Sequence, residues 1–143
     1  MVKRGATAVW QGGLKDGKGK LSTTSGALKD VPYSFAMRFE NEPGTNPEEL
    51  VAAALAGCFS MKLSGVLGEK GLKADRIETQ GTANFEKTEK GWLVGSIHLE
   101  LTAKVPGADP TTFQHLADEA KRTCPMSQLL SPGTKITLSA KLA

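Results

Sequence analysis

Residues 44–62 constrain the fold most, because they predict a helix that is apolar on every side. A residue before proline avoids the α conformation, so Asn46 is the expected N-cap and Pro47 the first helical residue. Between residues 50 and 61 the only strongly polar side chain is Ser60. Such a helix needs cover all round, and its apolar run is too short to span a bilayer. We therefore expect a core helix.

The rest of the sequence is typical of one ordinary globular domain covering residues 1–143. The chain has 18 basic and 15 acidic residues, and its lysines are dispersed instead of clustering with aromatic residues. This distribution argues against a nucleic-acid-binding protein. The N-terminal residues alternate like a strand and lack the apolar segment of a secretory signal, which predicts a cytoplasmic protein.

The two cysteines and two histidines are scattered along the chain, at positions 58, 98, 115 and 124. Zinc sites use local ligand pairs, so we expect no metal, and nothing in the sequence indicates an organic cofactor. In a reducing compartment two cysteines are more often catalytic or simply buried than joined in a structural disulfide.

Alternation and turn residues predict three strands before the helix, at residues 5–12, 17–24 and 33–40. In the third strand Arg38 would lie on the face opposite Tyr33 and its aromatic neighbours. The apolar helix should end near Glu69, before Gly71.

After the helix we expect a long strand pair at residues 77–88 and 92–105, a second helix capped by Asp109, and a short helical segment from Pro125 through Leu130. A last strand covers residues 134–142. His98 falls on the polar face of its strand, where an ordinary surface histidine is expected. The apolar face of that strand is predicted to comprise Leu93, Ile97, Leu99, Leu101, Ala103 and Val105.

The predicted order is β-β-β-α-β-β-α-β, which indicates an α+β fold with antiparallel sheets covering an apolar central helix. One sheet covers only one side of a helix that is apolar all round. A second copy of the chain is the simplest cover for the other side, so we expect an intertwined homodimer.

Each cysteine has an ordinary structural interpretation beside a chemical one. Cys58 lies about three turns into its helix, beyond the influence of the helix N-terminus, so only a nearby cation such as Arg38 would favour its thiolate. Cys124 follows Lys121 and precedes a proline at a helix start, where cations and backbone amides favour a thiolate. From local physics Cys124 is the more acidic thiol, and residues 124–127 also have the outline of a C-x-x-S redox motif. For Cys58 the structural interpretation also stays open, namely that it is a buried cysteine that packs as a small hydrophobic residue.

Glu48 and Glu49 begin the apolar helix, where acidic side chains are stabilised by the helix dipole. Glu49 falls at the capping-box position. This leaves Glu48 available for a partner such as an arginine.

The run Gly-Thr-Asn-Pro-Glu-Glu-Leu-Val-Ala-Ala-Ala-Leu-Ala-Gly-Cys-Phe-Ser-Met at residues 44–61 resembles the peroxidatic-cysteine helix of the OsmC/Ohr family. Cys-Pro-Met-Ser-Gln-Leu-Leu at residues 124–130 is similar to the family's second-cysteine segment, and the likeness extends over essentially the whole chain. It is closest to the OsmC branch. The resemblance implies a homodimeric enzyme, an organic-hydroperoxide reductase, with Cys58 as peroxidatic and Cys124 as resolving cysteine. This assignment reverses the ranking of the thiols from local physics.

The family's arginine and glutamate carry over to Arg38, as in the OsmC branch, and to Glu48. The resemblance further implies a small or lipoyl-type dithiol as reductant, while apolar residues near the cysteines favour alkyl or lipid hydroperoxides over hydrogen peroxide as substrates. These residues are equally suited to a core: Phe59, Met61 and Met126.

Ten residues of α-helix rise about 15 Å, so Glu48 and Cys58 of one chain cannot meet around one small substrate. If an Arg38–Glu48 pair faces a Cys58 thiolate, the cysteine must therefore come from the other subunit. Two other functional classes stay open: a non-enzymatic binder of an apolar ligand at the dimer interface, and a thiol-disulfide oxidoreductase that uses Cys124 without peroxide.

Overall fold

The computed structural model describes all 143 residues, which form two compact units, Met1–Leu50 and Val51–Ala143. Each unit has its own three-stranded sheet. The expectation of a single domain over residues 1–143 stays a prediction.

The first unit is built on a β-meander of β1 (Ala6–Gln11), β2 (Lys18–Thr23) and β3 (Val31–Tyr33), with β2 in the middle. Both pairings are antiparallel, which confirms the predicted N-terminal hairpin. Trp10 and Tyr33 lie on either side of β2 with ring centroids 5.4 Å apart. Gly19 lies between them, and a Cβ atom there would clash with both rings.

The predicted strand over residues 33–40 is wrong beyond Tyr33. Residues Phe35–Phe39 form a short helix, α1. The Ser34 side chain caps it by accepting a hydrogen bond from the Met37 N–H at 3.2 Å, and the rings of Phe35 and Phe39 pack one helical turn apart with centroids 4.7 Å apart. A local cap and an i, i+4 aromatic pair therefore override the alternating pattern.

Helix α2 (Pro47–Glu69) begins and ends where the sequence predicts. Its N-cap is Asn46, whose Oδ1 accepts the Glu49 N–H at 2.8 Å. The expectation that this helix is too short to span a membrane is wrong. Its 23 residues are long enough and apolar enough to cross one, by length and composition alone. Core helices of soluble proteins meet the same criterion, and one third of the apolar window is buried within the chain.

The second unit contains β4 (Arg76–Thr88), β5 (Gly91–Lys104), α3 (Pro110–Thr123), α4 (Pro125–Leu130) and β6 (Lys135–Leu142). β4 and β5 are antiparallel, and β6 joins the other edge of β5 in parallel. A parallel neighbour needs a crossover connection, which α3 and α4 supply. The sequence pattern did not indicate this parallel pairing.

The core of the second unit joins α2, β5 and α3. Buried side chains of α2 pack in one cluster with the inward face of β5 and the apolar stripe of α3. The members of that stripe are all buried: Phe113, Leu116, Ala117 and Ala120.

The predicted inward face of β5 is correct except at its start. Ile97 through Val105 alternate as expected, but Leu93 is 42% exposed. The pairing of β4 with β5 shifts between Asn84 and Phe85, which leaves Gly95 as an extra residue. A one-residue bulge moves all preceding side chains to the opposite face, so Leu93 points outward.

These elements confirm the α+β class, with antiparallel pairs and an apolar central helix. The observed element order is β-β-β-α-α-β-β-α-α-β.

Candidate active site

Cys58 and Cys124, far apart in the sequence, are brought together in the second unit. Both are free thiols; Cys58 is half-buried and Cys124 fully buried. The Cys58 thiol interacts with the Cys124 thiol and with the backbone N–H of Met126. The start of α4 therefore contributes a donor to one cysteine and carries the other.

Burial raises the pKa of the Cys58 thiol above its ordinary value. The Met126 N–H opposes this effect, the neighbouring Cys124 adds to it, and Lys62 lowers the pKa only weakly. The thiolate is the nucleophilic form of cysteine. Burial therefore favours the neutral thiol of Cys58 over the thiolate.

Cys124 lies at the break between α3 and α4. Its backbone N–H donates to the Ala120 carbonyl at 3.0 Å in the last turn of α3, and its side chain caps the N-terminus of α4. The Ser127 N–H donates to Cys124 Sγ at 3.3 Å, and Ser127 Oγ lies 3.3 Å from the same sulfur. Pro125 explains the break, because the residue before a proline is pushed out of the α conformation.

Arg38 and Glu48 form a forked ion pair within the first unit. Arg38 Nε lies 3.0 and 3.2 Å from the two Glu48 carboxylate oxygens, and Nη2 lies 2.7 Å from Oε1. Glu48 is one of the few buried charged groups, at 8% exposure. A bidentate pair of this kind holds the guanidinium in one orientation. The structure thus contains the pair that the sequence suggested, with Arg38 on α1 instead of on a strand.

Glu49 has a local role instead. Its carboxylate accepts the Thr45 hydroxyl at 3.0 Å while its backbone N–H is capped by Asn46. It is therefore part of the helix start, as predicted, although through Thr45 and not through a reciprocal capping box.

The apolar residues near the cysteines differ in environment. Phe59 is fully buried in the core, which supports the structural interpretation for that residue. Met126 is half-buried and packs against the same cluster, whereas Met61 is 80% exposed.

A pocket of about 270 Å³ in the first unit was not predicted from the sequence. Arg38 lines it together with a largely aromatic wall. The strand predicted for residues 33–40 would have placed Arg38 on the face opposite the aromatic rings, so only the helical turn of α1 brings Arg38 into the same pocket. Its wall comprises Trp10, Leu14, Tyr33, Ser34, Phe35 and Phe39.

The histidines lie apart from the thiols. His98 Nδ1 contacts Thr137 Oγ1 at 2.6 Å across β5 and β6, and His115 is exposed on α3. No group of three or more His, Cys, Asp or Glu side chains is placed to hold a metal ion.

Comparisons with known proteins agree with this arrangement. Residues 39–139 match the family described as OsmC-like protein. The chain is 44% identical over 141 residues to "Peroxiredoxin OsmC" of Escherichia coli (strain K12), covering 99% of this chain and 97% of that protein. It is 30% identical over 125 residues to "Organic hydroperoxide resistance protein OhrB" of Bacillus subtilis, covering 86% and 89%.

Solved structures share the fold along nearly the whole chain. The crystal structure of Bacillus subtilis OhrB has a TM-score of 0.72 at 27% identity and covers 96% of this chain and 98% of that one. An organic hydroperoxide resistance protein from Elizabethkingia anophelis has a TM-score of 0.76 at 26% identity and covers 100% and 98%. The chain belongs to the OsmC/Ohr family, in its OsmC branch.

Proposed function

We propose that this chain is a thiol-dependent peroxidase that reduces organic hydroperoxides. The proposal rests on the interaction between two free thiols, one on α2 and one at the start of α4. Relatives that span nearly the whole chain are named as a peroxiredoxin and as organic hydroperoxide resistance proteins.

Cys58 is the peroxidatic cysteine in this proposal. Its thiolate attacks one peroxide oxygen, the O–O bond breaks, and the alkoxide takes a proton and leaves as the alcohol. Cys58 is left as a sulfenic acid. Cys124 then condenses with it, forming the Cys58–Cys124 disulfide and releasing water.

A dithiol returns the enzyme to its reduced state by thiol-disulfide exchange. It supplies two electrons and is itself oxidised to a disulfide. We assign this role to a small or lipoyl-type dithiol in the cytoplasm. No metal and no organic cofactor is required by these steps.

Arg38 supplies the positive charge that Cys58 needs, and Glu48 orients it. The raised pKa of Cys58 within one chain supports a contribution from a second copy. Ten helical residues separate Glu48 from Cys58 by about 15 Å along α2, so we place the thiol of one subunit opposite the ion pair of the other. The aromatic pocket beside Arg38 suits the organic part of an alkyl hydroperoxide.

The functional assembly is a homodimer in this proposal. One face of α2 in the second unit presents small residues with open space around their glycines, and Met61 lies on it. Small residues allow a second helix to approach closely, and an exposed apolar face favours association. Light scattering should give twice the 15.1 kDa of one chain at micromolar concentration; a folded monomer would contradict the assembly. The small residues on this face are Ala53, Gly57, Ser64, Gly65 and Gly68.

A coupled assay tests the activity. Reduced protein is mixed with cumene hydroperoxide and dihydrolipoamide, and both are followed. We expect one hydroperoxide consumed per dithiol oxidised, faster than with hydrogen peroxide, and no turnover with Cys58→Ser. Dithiol oxidation by a disulfide substrate without peroxide consumption would indicate an oxidoreductase, and apolar ligand binding with no turnover would indicate a binder.

A further inference from the structure

We propose that the Ser127 hydroxyl transfers the proton of Cys124 during disulfide formation. The inference rests on the proposed peroxidase function and adds a residue to its second step. Ser127 belongs to the C-x-x-S sequence at residues 124–127, which the proposed function otherwise uses only at its cysteine.

The surroundings of Cys124 make a proton-transfer group necessary. Cys124 is 0% exposed, so water does not reach its sulfur in this structure. Its polar neighbours are the Cys58 thiol, the Ser127 N–H and Ser127 Oγ. An amide N–H cannot accept a proton, and Cys58 is the group under attack. Apart from the reacting Cys58 group, the hydroxyl is the neighbour that can take the proton that Cys124 must lose.

The Oγ–Sγ contact of 3.3 Å serves both protonation states of Cys124. A hydroxyl both donates and accepts, so it accepts the S–H of the thiol and donates O–H to the thiolate. No side-chain rearrangement is needed between the two states. The backbone N–H at residue 127 adds a fixed donor to the thiolate.

Ser127 also connects the buried thiol to solvent. It is 3% exposed and lines an open groove of about 870 Å³ between α3 and β6. Ser127 therefore contacts the Cys124 sulfur and also borders the groove. The titratable and charged groups around this groove are His115, Asp118, Glu119, Lys121, Arg122 and Lys135.

The step balances as follows. Cys124 S–H gives its proton to Ser127 Oγ as Ser127 releases its own proton to water in the groove. The Cys124 sulfur attacks the Cys58 sulfenic sulfur, the S–OH bond breaks, and the departing hydroxide takes a proton from solvent at the half-buried Cys58 and leaves as water, which replaces the proton released to the groove. The serine is regenerated, and no electrons pass through it.

Ser127→Ala tests the inference, because it removes the hydroxyl and retains the backbone N–H. Reduced enzyme is mixed rapidly with cumene hydroperoxide between pH 5 and 9. Cys58 sulfenic acid is trapped with a dimedone probe, and the disulfide is quantified by mass spectrometry. Thr134→Val is the matched control, since Thr134 lines the same groove and its buried Oγ1 has no hydrogen-bond partner.

We expect Ser127→Ala to form Cys58 sulfenic acid at the wild-type rate but to form the disulfide about 10- to 100-fold more slowly. The pH midpoint of disulfide formation should rise, a change that loss of a packing contact would not produce. Ser127→Thr should restore most of the rate, and Thr134→Val should match wild type.

Disulfide formation by Ser127→Ala at the wild-type rate and with the wild-type pH profile would overturn the inference and leave the peroxidase proposal intact. If Ser127→Ala fails to fold, the wild-type enzyme supplies the test: absence of a solvent isotope effect on its disulfide formation would overturn the inference equally, because the proposed step moves the Cys124 and Ser127 protons. Absence of Cys58 oxidation in the wild type would overturn the peroxidase proposal, and this inference with it.

Discussion

The two units of the chain use their apolar side chains in opposite ways. The second unit buries a continuous core, with Leu55, Phe59 and Leu63 at 0% exposure. Every buried hydrophobic residue belongs to this unit, while Val9 and Leu14 of the first unit are 49% and 67% exposed. The second unit therefore has a buried core of its own, whereas the first unit buries no hydrophobic side chain fully and exposes apolar surface that the proposed dimer would cover.

The units also divide the chemistry. Both thiols belong to the second unit, where burial raises the Cys58 pKa. The first unit holds the forked Arg38–Glu48 pair. The composite site proposed above pairs the Cys58 thiol of one subunit with the oriented Arg38 guanidinium of the other.

The largest effect is expected at the thiols themselves. Cys58→Ser should reduce peroxidase turnover to the uncatalysed rate, because no other group accepts the peroxide oxygen. Cys124→Ser should still be oxidised once, stop at the Cys58 sulfenic acid and then over-oxidise. Mass spectrometry of peptides from peroxide-treated protein reports both. Oxidation of Cys124 before Cys58 in the wild type would reverse the roles.

Three Leu→Ala variants test how far the leucine side chains of the two units are buried, either in the core or by a second copy of the chain. Leu63→Ala should lower the free energy of unfolding by about 2–5 kcal/mol, since it opens a cavity in the core. Leu129→Ala should change it by less than about 0.5 kcal/mol, because Leu129 is 68% exposed. Leu14 has nearly the same exposure, but a second copy covering the first unit would make Leu14→Ala cost about 1 kcal/mol.

Urea unfolding at one fixed protein concentration measures all three variants, because the stability of a dimer depends on concentration. Equal effects of Leu14→Ala and Leu129→Ala would mean that Leu14 is not covered by a partner.

The ion pair of the first unit should control the reactivity of the second. Arg38→Met is expected to slow Cys58 oxidation by about 100-fold at neutral pH and to shift its pH dependence upward, because the thiolate loses its cation. Glu48→Gln should slow it by about 10-fold or less, since the guanidinium is loosened but still present. Stopped-flow fluorescence across pH 6–10 measures both, and an unchanged pH profile for Arg38→Met would exclude this role.

The smallest effect concerns the second unit alone. Asp109 caps α3, and hydrogen bonds from Thr112 hold the pKa of its carboxylate below the ordinary value. A lowered native pKa means that this stabilisation is present above about pH 4 and is lost as the pH falls through the native pKa. Asp109→Ala should therefore lower the Tm modestly at pH 7, and the difference from wild type should shrink below pH 4. A difference independent of pH would contradict this assignment.

Local chemistry explains which elements were predictable from sequence. The start of α2 follows from Asn46 and Pro47, and the short α4 follows from Pro125, because caps and prolines act within a few residues. The same argument applied to Ser34 would have predicted α1. The alternation of aromatic residues favoured a strand over a helix capped by Ser34, so Arg38 was predicted to lie on a strand.

Other features depend on contacts distant in sequence. The bulge at Gly95 is defined only by the partner strand β4, so alternation within β5 could not reveal it. The parallel position of β6 likewise depends on how α3 and α4 cross over. The proximity of Cys58 and Cys124 was expected from family resemblance alone, since no local pattern links an α2 side chain to the start of α4.

The composite site is tested most directly by mixing two inactive variants. Cys58→Ser chains keep the ion pair, and Arg38→Met chains keep the thiol. The two variants are unfolded and refolded together, heterodimers are isolated by differential tags, and peroxidase turnover is measured with cumene hydroperoxide and dihydrolipoamide. Heterodimers should regain one intact site, with about half the wild-type turnover per dimer. Isolated heterodimers no more active than the parent variants would place the cation and the thiol in the same subunit and contradict the account.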